Sequence, residues 1–308
     1  MMINNKMIIL SLITVLTITS AVAQQIPKYL ELIKSADSLS NSKDLLGAKK
    51  QYEEAFSISS GDPQALLSLA KIELRISKGL SPGKSLIKAI ENGADLDMLV
   101  ADSFVNSYFK SNQSLHNQFS TIHNKYLSKI KYLDERTQLL TMLGNDQTLR
   151  SLLGTFDFKK VDSLIHNTDT ANMSKLKSMI SRIGFPDREK VGKDGSDAVF
   201  IILMHTLNDG FEDEMDIKHI EPIMKQAVLE GKFPSFFLAI LMDRHFGMKK
   251  QPQRYGTYWE MDRKSNERRI MQILDVQKVD ARRREIGLPS LGYTARTQNL
   301  ILPEDYNQ

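Results

Sequence analysis

The chain contains no cysteine in its 308 residues. It can therefore form no disulfide, build no thiolate zinc site and offer no thiol nucleophile. A lipid anchor attached through an N-terminal cysteine is excluded on the same ground. Charge of one sign is also scarce, since 41 Lys and Arg face 37 Asp and Glu. A balance of this kind gives no reason to expect a polyanionic partner such as nucleic acid. The six histidines at 116, 123, 166, 205, 219 and 245 are scattered and none sits in an HExxH pattern, so neither a metal nor another cofactor is expected. A Gly-x-Ser-x-Gly elbow and a supported Ser-x-x-Lys pattern are missing as well. After the first twenty residues there is no apolar run of membrane length.

What is present begins at the N-terminus. Lys6 is the only charge before Met7 to Thr19, an apolar and hydroxyl run, and Ala21-Val22-Ala23 follows it. A basic start, a short apolar stretch and small residues at the cleavage point form a secretory signal. Residues 1–23 are thus expected to be a signal peptide, with the mature protein periplasmic or extracellular and without a transmembrane segment.

The remainder reads as mainly α. Residues 24–125 form one expected region, with Leu30, Ile33 and Ala36 at helical spacing, a polar break at 41–44, then Ala48, Tyr52 and Ala55 on one helix face. Thirty-four residues beyond Tyr52 and Ala55 stand Leu86 and Ala89. Gly61-Asp62-Pro63 separates the units, with Pro63 suited to a first helical turn. The small–aromatic–small face and its 34-residue echo resemble a tetratricopeptide repeat. That resemblance implies helical hairpins able to bind a protein or peptide. Residues 126–308 form a second, helical domain with a small hairpin or loop-rich C-terminal part. A helix is expected over 171–183, stopped by Gly184 and Pro186, with the polar stretch Asn167–Thr170 before it as a turn or cap. Further helices are expected over 198–207, 215–230, 234–245 and 276–286. A capped loop is expected at 191–196, and a short hairpin between Tyr255–Met261 and Ile270–Leu274.

The second half also resembles a bacterial family, domain of unknown function 6624. The residues that carry this are Asp146-Gln147 with Arg150, Gly184-Phe185-Pro186, Val191-Gly192 with Asp194-Gly195, and His205. They continue through Asp243-Arg244, Gln253, Tyr255-Gly256-Thr257, Val279-Asp280, Arg282-Arg283 and Gly287-Leu288. Phe185 stands where the family often has Trp. The resemblance implies a fold and a shared pocket, and no particular reaction.

The residues themselves suggest where chemistry could lie. His205 ends the apolar run Phe200–Met204, as a hydrogen-bonded core histidine or as a general base whose charge a carboxylate sets. Asp243 follows the apolar stretch Phe236–Met242 and is the expected carboxylate, unless Asp243-Arg244 serve as a structural ion pair. Arg244 and Arg254 could fork around an anionic ligand, with Gln253 and Tyr255 as further binding groups. Arg282-Arg283-Arg284 read as a solvated basic face. Two functions follow. One is an exported interaction module of the cell envelope. The other is an envelope hydrolase acting on a polar small molecule, with catalytic residues His205 and Asp243 and ligand-binding residues Arg244, Gln253, Arg254 and Tyr255.

Overall fold

A computed structural model describes residues 28–59, 63–206, 214–262 and 266–306. The expected signal segment 1–23, the Gly61-Asp62 break and Leu207 lie outside them. The fold is mainly α, and the chain divides into two compact units between Tyr126 and Leu127.

In the first unit, α1 covers residues 28–41. It is followed by α2 (Leu45–Ile58), α3 (Pro63–Ile76), α4 (Ser85–Glu91), α5 (Leu96–Ala101), α6 (Ser103–Ser111) and most of α7 (Gln113–Leu127). Local chemistry sets the starts: the side chains of Asp44, Asp95 and Asp102 each accept from backbone N–H groups of the first turn that follows, which satisfies donors a helix leaves orphaned. Ala48, Tyr52 and Ala55 are all buried, as are Leu86 and Ala89. Ala36 and Ala48 leave room for the Tyr52 ring between α1 and α3, and its hydroxyl donates to Asp37.

The second unit is built on α8 (Leu133–Ser151), α9 (Phe158–Ile183) and α10 (Arg188–Thr206), with α11 (Glu214–Leu229) and α12 (Ser235–Met248) completing its core. α10 packs against α8, α9 and α12. The Phe200 and Phe237 rings stack 3.9 Å apart where α10 meets α12. Beyond α12 come the antiparallel pair β1 (Trp259–Asp262) and β2 (Glu267–Ile270), a 3-10 turn at Val276–Lys278, α13 (Val279–Glu285) and α14 (Leu291–Gln298).

Four local expectations change. Asn167–Thr170 lies within α9, which starts at the cap Asp157; its polar run is a helical face, because Asp169 turns inward to a cation. Residues 191–196 are not a loop but the kinked part of α10: Gly192 takes φ 78°, open to glycine, and Asp194 after it pairs with Arg136 of α8. The hairpin pairs Trp259–Asp262 with Glu267–Ile270, so its second strand precedes the expected Ile270–Leu274 and shares only Ile270 with it, and α14, capped by Ser290, is additional. Finally, Arg282-Arg283-Arg284 is no uniformly solvated face. Arg283 is buried and donates to the carbonyls of Tyr255 and Pro289 and to Thr294 Oγ1, while Arg282 donates to the carbonyls of Arg254, Leu274 and Asp275. Carbonyls that end no strand or helix need donors, and these two guanidiniums supply them.

Candidate functional site

Asp146 and Arg150 stand four residues apart on α8, hence on one helix face. Arg150 Nε donates to Asp146 Oδ1 at 2.9 Å, and Arg150 Nη2 reaches both oxygens of Asp169 on α9 at 2.8 and 2.7 Å. Each aspartate side chain is 2 % exposed. Buried carboxylates require paired charge and hydrogen bonds, and this guanidinium serves two of them. Asp146 Oδ2 also accepts from Gln147 Nε2 at 2.8 Å.

The imidazole of His205, in the last turn of α10, joins this group. Its Nδ1 lies 2.8 Å from Asp146 Oδ2 and 3.0 Å from Arg150 Nε. The single Nε proton of Arg150 is directed at both Asp146 Oδ1 and His205 Nδ1, and the carboxylate oxygen is the stronger, charged acceptor. If Nδ1 carried a lone pair it would face Asp146 Oδ2 with no proton between them, so chemistry assigns the hydrogen to Nδ1. Nε2 then holds the lone pair. Burial lowers the histidine below its ordinary value of 6.5; the Asp146 charge opposes this, and the Arg150 and Arg244 charges add to it. Burial therefore favours the neutral form of this imidazole over that of a free histidine. Burial would lower the Arg150 guanidinium too, but Asp169 and then Asp146 raise it above its ordinary value.

Asp243 does not provide the carboxylate at His205 Nδ1; Asp146 does. The Asp243 oxygens instead gather the loop after α12. Oδ1 accepts from Arg254 N at 2.6 Å and Tyr255 N at 2.8 Å, and Oδ2 from Thr257 N at 2.9 Å and Thr257 Oγ1 at 2.8 Å. Burial raises this carboxyl, and the four donors act against that. Gln253 is spent on the same loop, its amide bridging Tyr258 and Met271 backbone groups. Tyr255 is a buried core residue whose hydroxyl burial pushes up to about 12. Arg254 pairs with Glu221 at 2.9 Å and lies 4.3 Å over the Phe246 ring. Arg254 Nη1 is thus engaged by Glu221.

Arg244 is different. It follows the Asp243 anchor, and its positive charge lowers both the His205 imidazole and the Tyr258 hydroxyl. Tyr258 is half-buried, and burial raises its hydroxyl against the effect of Arg244. The hydrogen-bonded group thus joins one of the expected residues, His205, with three that the residue-by-residue reading assigned no role: Asp146, Arg150 and Asp169. Asp146 and Arg150 could have been found from their spacing of four, and Asp169 from a lone acid recurring between apolar positions Ile165, Met173 and Leu176 of one helix.

Among the described residues no group of three or more acidic or histidine side chains is arranged to hold a metal ion; Arg150 sits between the two carboxylates. Nor is any described helix long and apolar enough to cross a membrane. No curated protein and no solved structure matches the chain. A family model described as "Family of unknown function (DUF6624)" matches residues 133–301, from the first residue of α8 to the residue bridged with β2, and so takes in every group of this site. That span exceeds half of the sequence, and the chain belongs to the family of unknown function DUF6624.

Proposed function

We propose that the C-terminal unit is a hydrolytic domain in which neutral His205 acts as general base through Nε2, taking a proton from the water that attacks a polar substrate. One observation carries the reading: Asp146 Oδ2 lies 2.8 Å from His205 Nδ1. A carboxylate there fixes the tautomer and stabilises the imidazolium that forms when Nε2 takes the proton. Arg150 and Asp169 hold that carboxylate in place. The pattern at residues 6–23 supports export, so the substrate is sought in the periplasm or outside the cell. The test is hydrolysis of a panel of esters, phosphoesters and amides by the full chain and by His205→Ala and Asp146→Asn. A general base is worth about 10²–10⁴-fold in rate, and both variants should lose turnover on that scale. Wild-type turnover no greater than that of His205→Ala across the panel would refute the reading.

A second reading concerns the first unit. Its buried Ala48–Tyr52–Ala55 face and the buried Leu86–Ala89 echo support tetratricopeptide-like hairpins whose other faces bind a protein or peptide. Crosslinking followed by mass spectrometry on the full chain in its host envelope tests this; recovery of no partner peptide linked to residues 28–126 counts against it.

A further inference from the structure

We infer that the turn joining α8 to α9 is a lipid-docking tip, which seats the C-terminal unit on a bilayer surface containing anionic phospholipid. The inference concerns where the domain works and does not depend on the reaction proposed above.

The turn is built by its own backbone. Leu153 N donates to Arg150 O at 3.1 Å, and Thr155 N and Phe156 N donate to Leu152 O at 3.1 and 3.3 Å. Gly154 takes φ 87°, and a side chain placed there would meet nothing within 4 Å. The turn thus projects into open space. Every residue from Leu153 to Lys160 is exposed, yet three of them are large and apolar: Leu153 at 40 %, Phe156 at 66 % and Phe158 at 65 %. Phe158 lies three and seven residues before buried Val161 and Ile165, so it extends the inward stripe of α9 beyond its buried part. Exposed apolar area gathered in this way marks a docking site.

Area, shape and charge decide what covers it. The two rings and Leu153 offer on the order of 300 Å². A stable protein partner, a second copy of this chain included, needs about 800 Å² from each side. A bilayer needs no matching surface, because acyl chains close around an inserted ring. Within residues 152–161 two lysines, Lys159 and Lys160, stand against one acid, Asp157. Asp157 is occupied as the cap of α9, accepting from Lys160 N at 3.3 Å. The next acid, Asp162, lies further along the helix. Rings beside lysines suit anionic lipid: the rings enter the acyl boundary while the ammonium groups stay among the phosphates. The His205 group lies at the same end of α8, since Arg150, two residues before Leu152, contacts both Asp146 and His205. Docking brings that group towards the headgroup layer.

The absence of cysteine makes the test specific. Thr155→Cys gives the full chain a single thiol. An environment-sensitive fluorophore attached there reports the turn itself, whatever other part of the chain meets a vesicle. The labelled chain is titrated with vesicles of phosphatidylcholine, with and without phosphatidylglycerol. The expected result is a saturable blue shift when phosphatidylglycerol is present, quenched by lipids carrying a nitroxide in the acyl chain. Phe156→Ala and Phe158→Ala should each weaken binding about 10-fold, and Lys159→Gln and Lys160→Gln about 5-fold each. All four side chains lie in solvent, so the urea transition of Trp259 should stay where it is and serves as the folding control. Emission unaltered by vesicles overturns the inference, as does an equal shift on both compositions or one undiminished when both phenylalanines are replaced. A shift that grows with protein concentration in the absence of lipid also overturns it, and identifies a second copy as the occupant. The two readings fail separately. Turnover lost in His205→Ala with no lipid shift leaves the base and removes the tip; a lipid shift with wild-type turnover no greater than that of His205→Ala does the reverse.

Discussion

Replacing Arg150 by methionine tests the physical core of the site. Methionine keeps most of the aliphatic stem and removes the guanidinium. Three charge-assisted hydrogen bonds disappear, at 2.9, 2.8 and 2.7 Å, and two carboxylates that are 2 % exposed lose their shared cation. Breaking a buried pair by removing one partner costs about 3–5 kcal/mol. The Arg150 side chain is itself 22 % exposed, so water can partly replace it and the lower end, about 3 kcal/mol, is expected. Asp146 keeps Gln147 and His205, which spares it some of the loss. The sign with pH is the discriminating part. With no cation nearby, burial favours protonated carboxyls in the folded state, whose pKa then exceeds the unfolded value. A group shifted in that direction takes stability away as pH rises, so the deficit should be larger at pH 8 than at pH 5. Urea unfolding followed by the fluorescence of the one tryptophan measures this cleanly, because Trp259 lies in β1 of the C-terminal unit and does not report the first unit. The double variant Arg150→Met, Asp169→Asn should recover part of the loss, as coupled partners do. A deficit below about 1 kcal/mol, or one independent of pH, would show that Arg150 makes only an ordinary surface pair.

Because its folded pKa is depressed, His205 binds fewer protons than in the unfolded chain just below pH 6.5; its contribution to stability is complete above that value and falls away as pH drops. Histidine ¹⁵N titration should give a midpoint under 6.5, and one above it would contradict the burial assigned to the ring. Arg283→Met strands two carbonyls and a hydroxyl, at about 1–3 kcal/mol for each buried group left unsatisfied, and should lower the urea midpoint of the Trp259 transition by far more than Arg284→Met. Asp243→Asn leaves one amide oxygen where four donors converged; losses of about 2–4 kcal/mol are expected from the stranded donors, visible as faster amide exchange at residues 254–257. Gly256→Ala places a methyl 2.7 Å from Leu291 Cδ1 and 2.9 Å from Ile273 Cδ1 at φ 72°, and should cost about 1–3 kcal/mol through overpacking and strain, read as a drop in melting temperature.

These tests bear on how much of the molecule was legible from residues alone. Elements whose apolar positions recur at three and four were readable, because burial of one face is what fixes them: Ala48, Tyr52 and Ala55, or Leu176 and Met179, all point inward as their spacing demands. The site was legible only in part, and for a physical reason. A buried charge is tolerated where its partner is, and the partners here come from other helices, 19 residues away for Arg150 and Asp169 and 59 for Asp146 and His205. Periodicity says nothing about which distant helix supplies a counter-charge. It led to Asp243, the acid at the end of the nearest apolar helix segment, when that carboxylate was already committed to the loop that follows it. The polar run Asn167–Thr170 misled in the same way. Four hydrophilic residues in a row are ordinarily a turn, since water satisfies them at no cost. Asp169 stays in the helix because Arg150 supplies across the helix interface what water would otherwise supply. An acid on the apolar face of a helix is thus a sign that a cation lies opposite, and an arginine four residues from a second acid, as Arg150 is from Asp146, is the partner to look for.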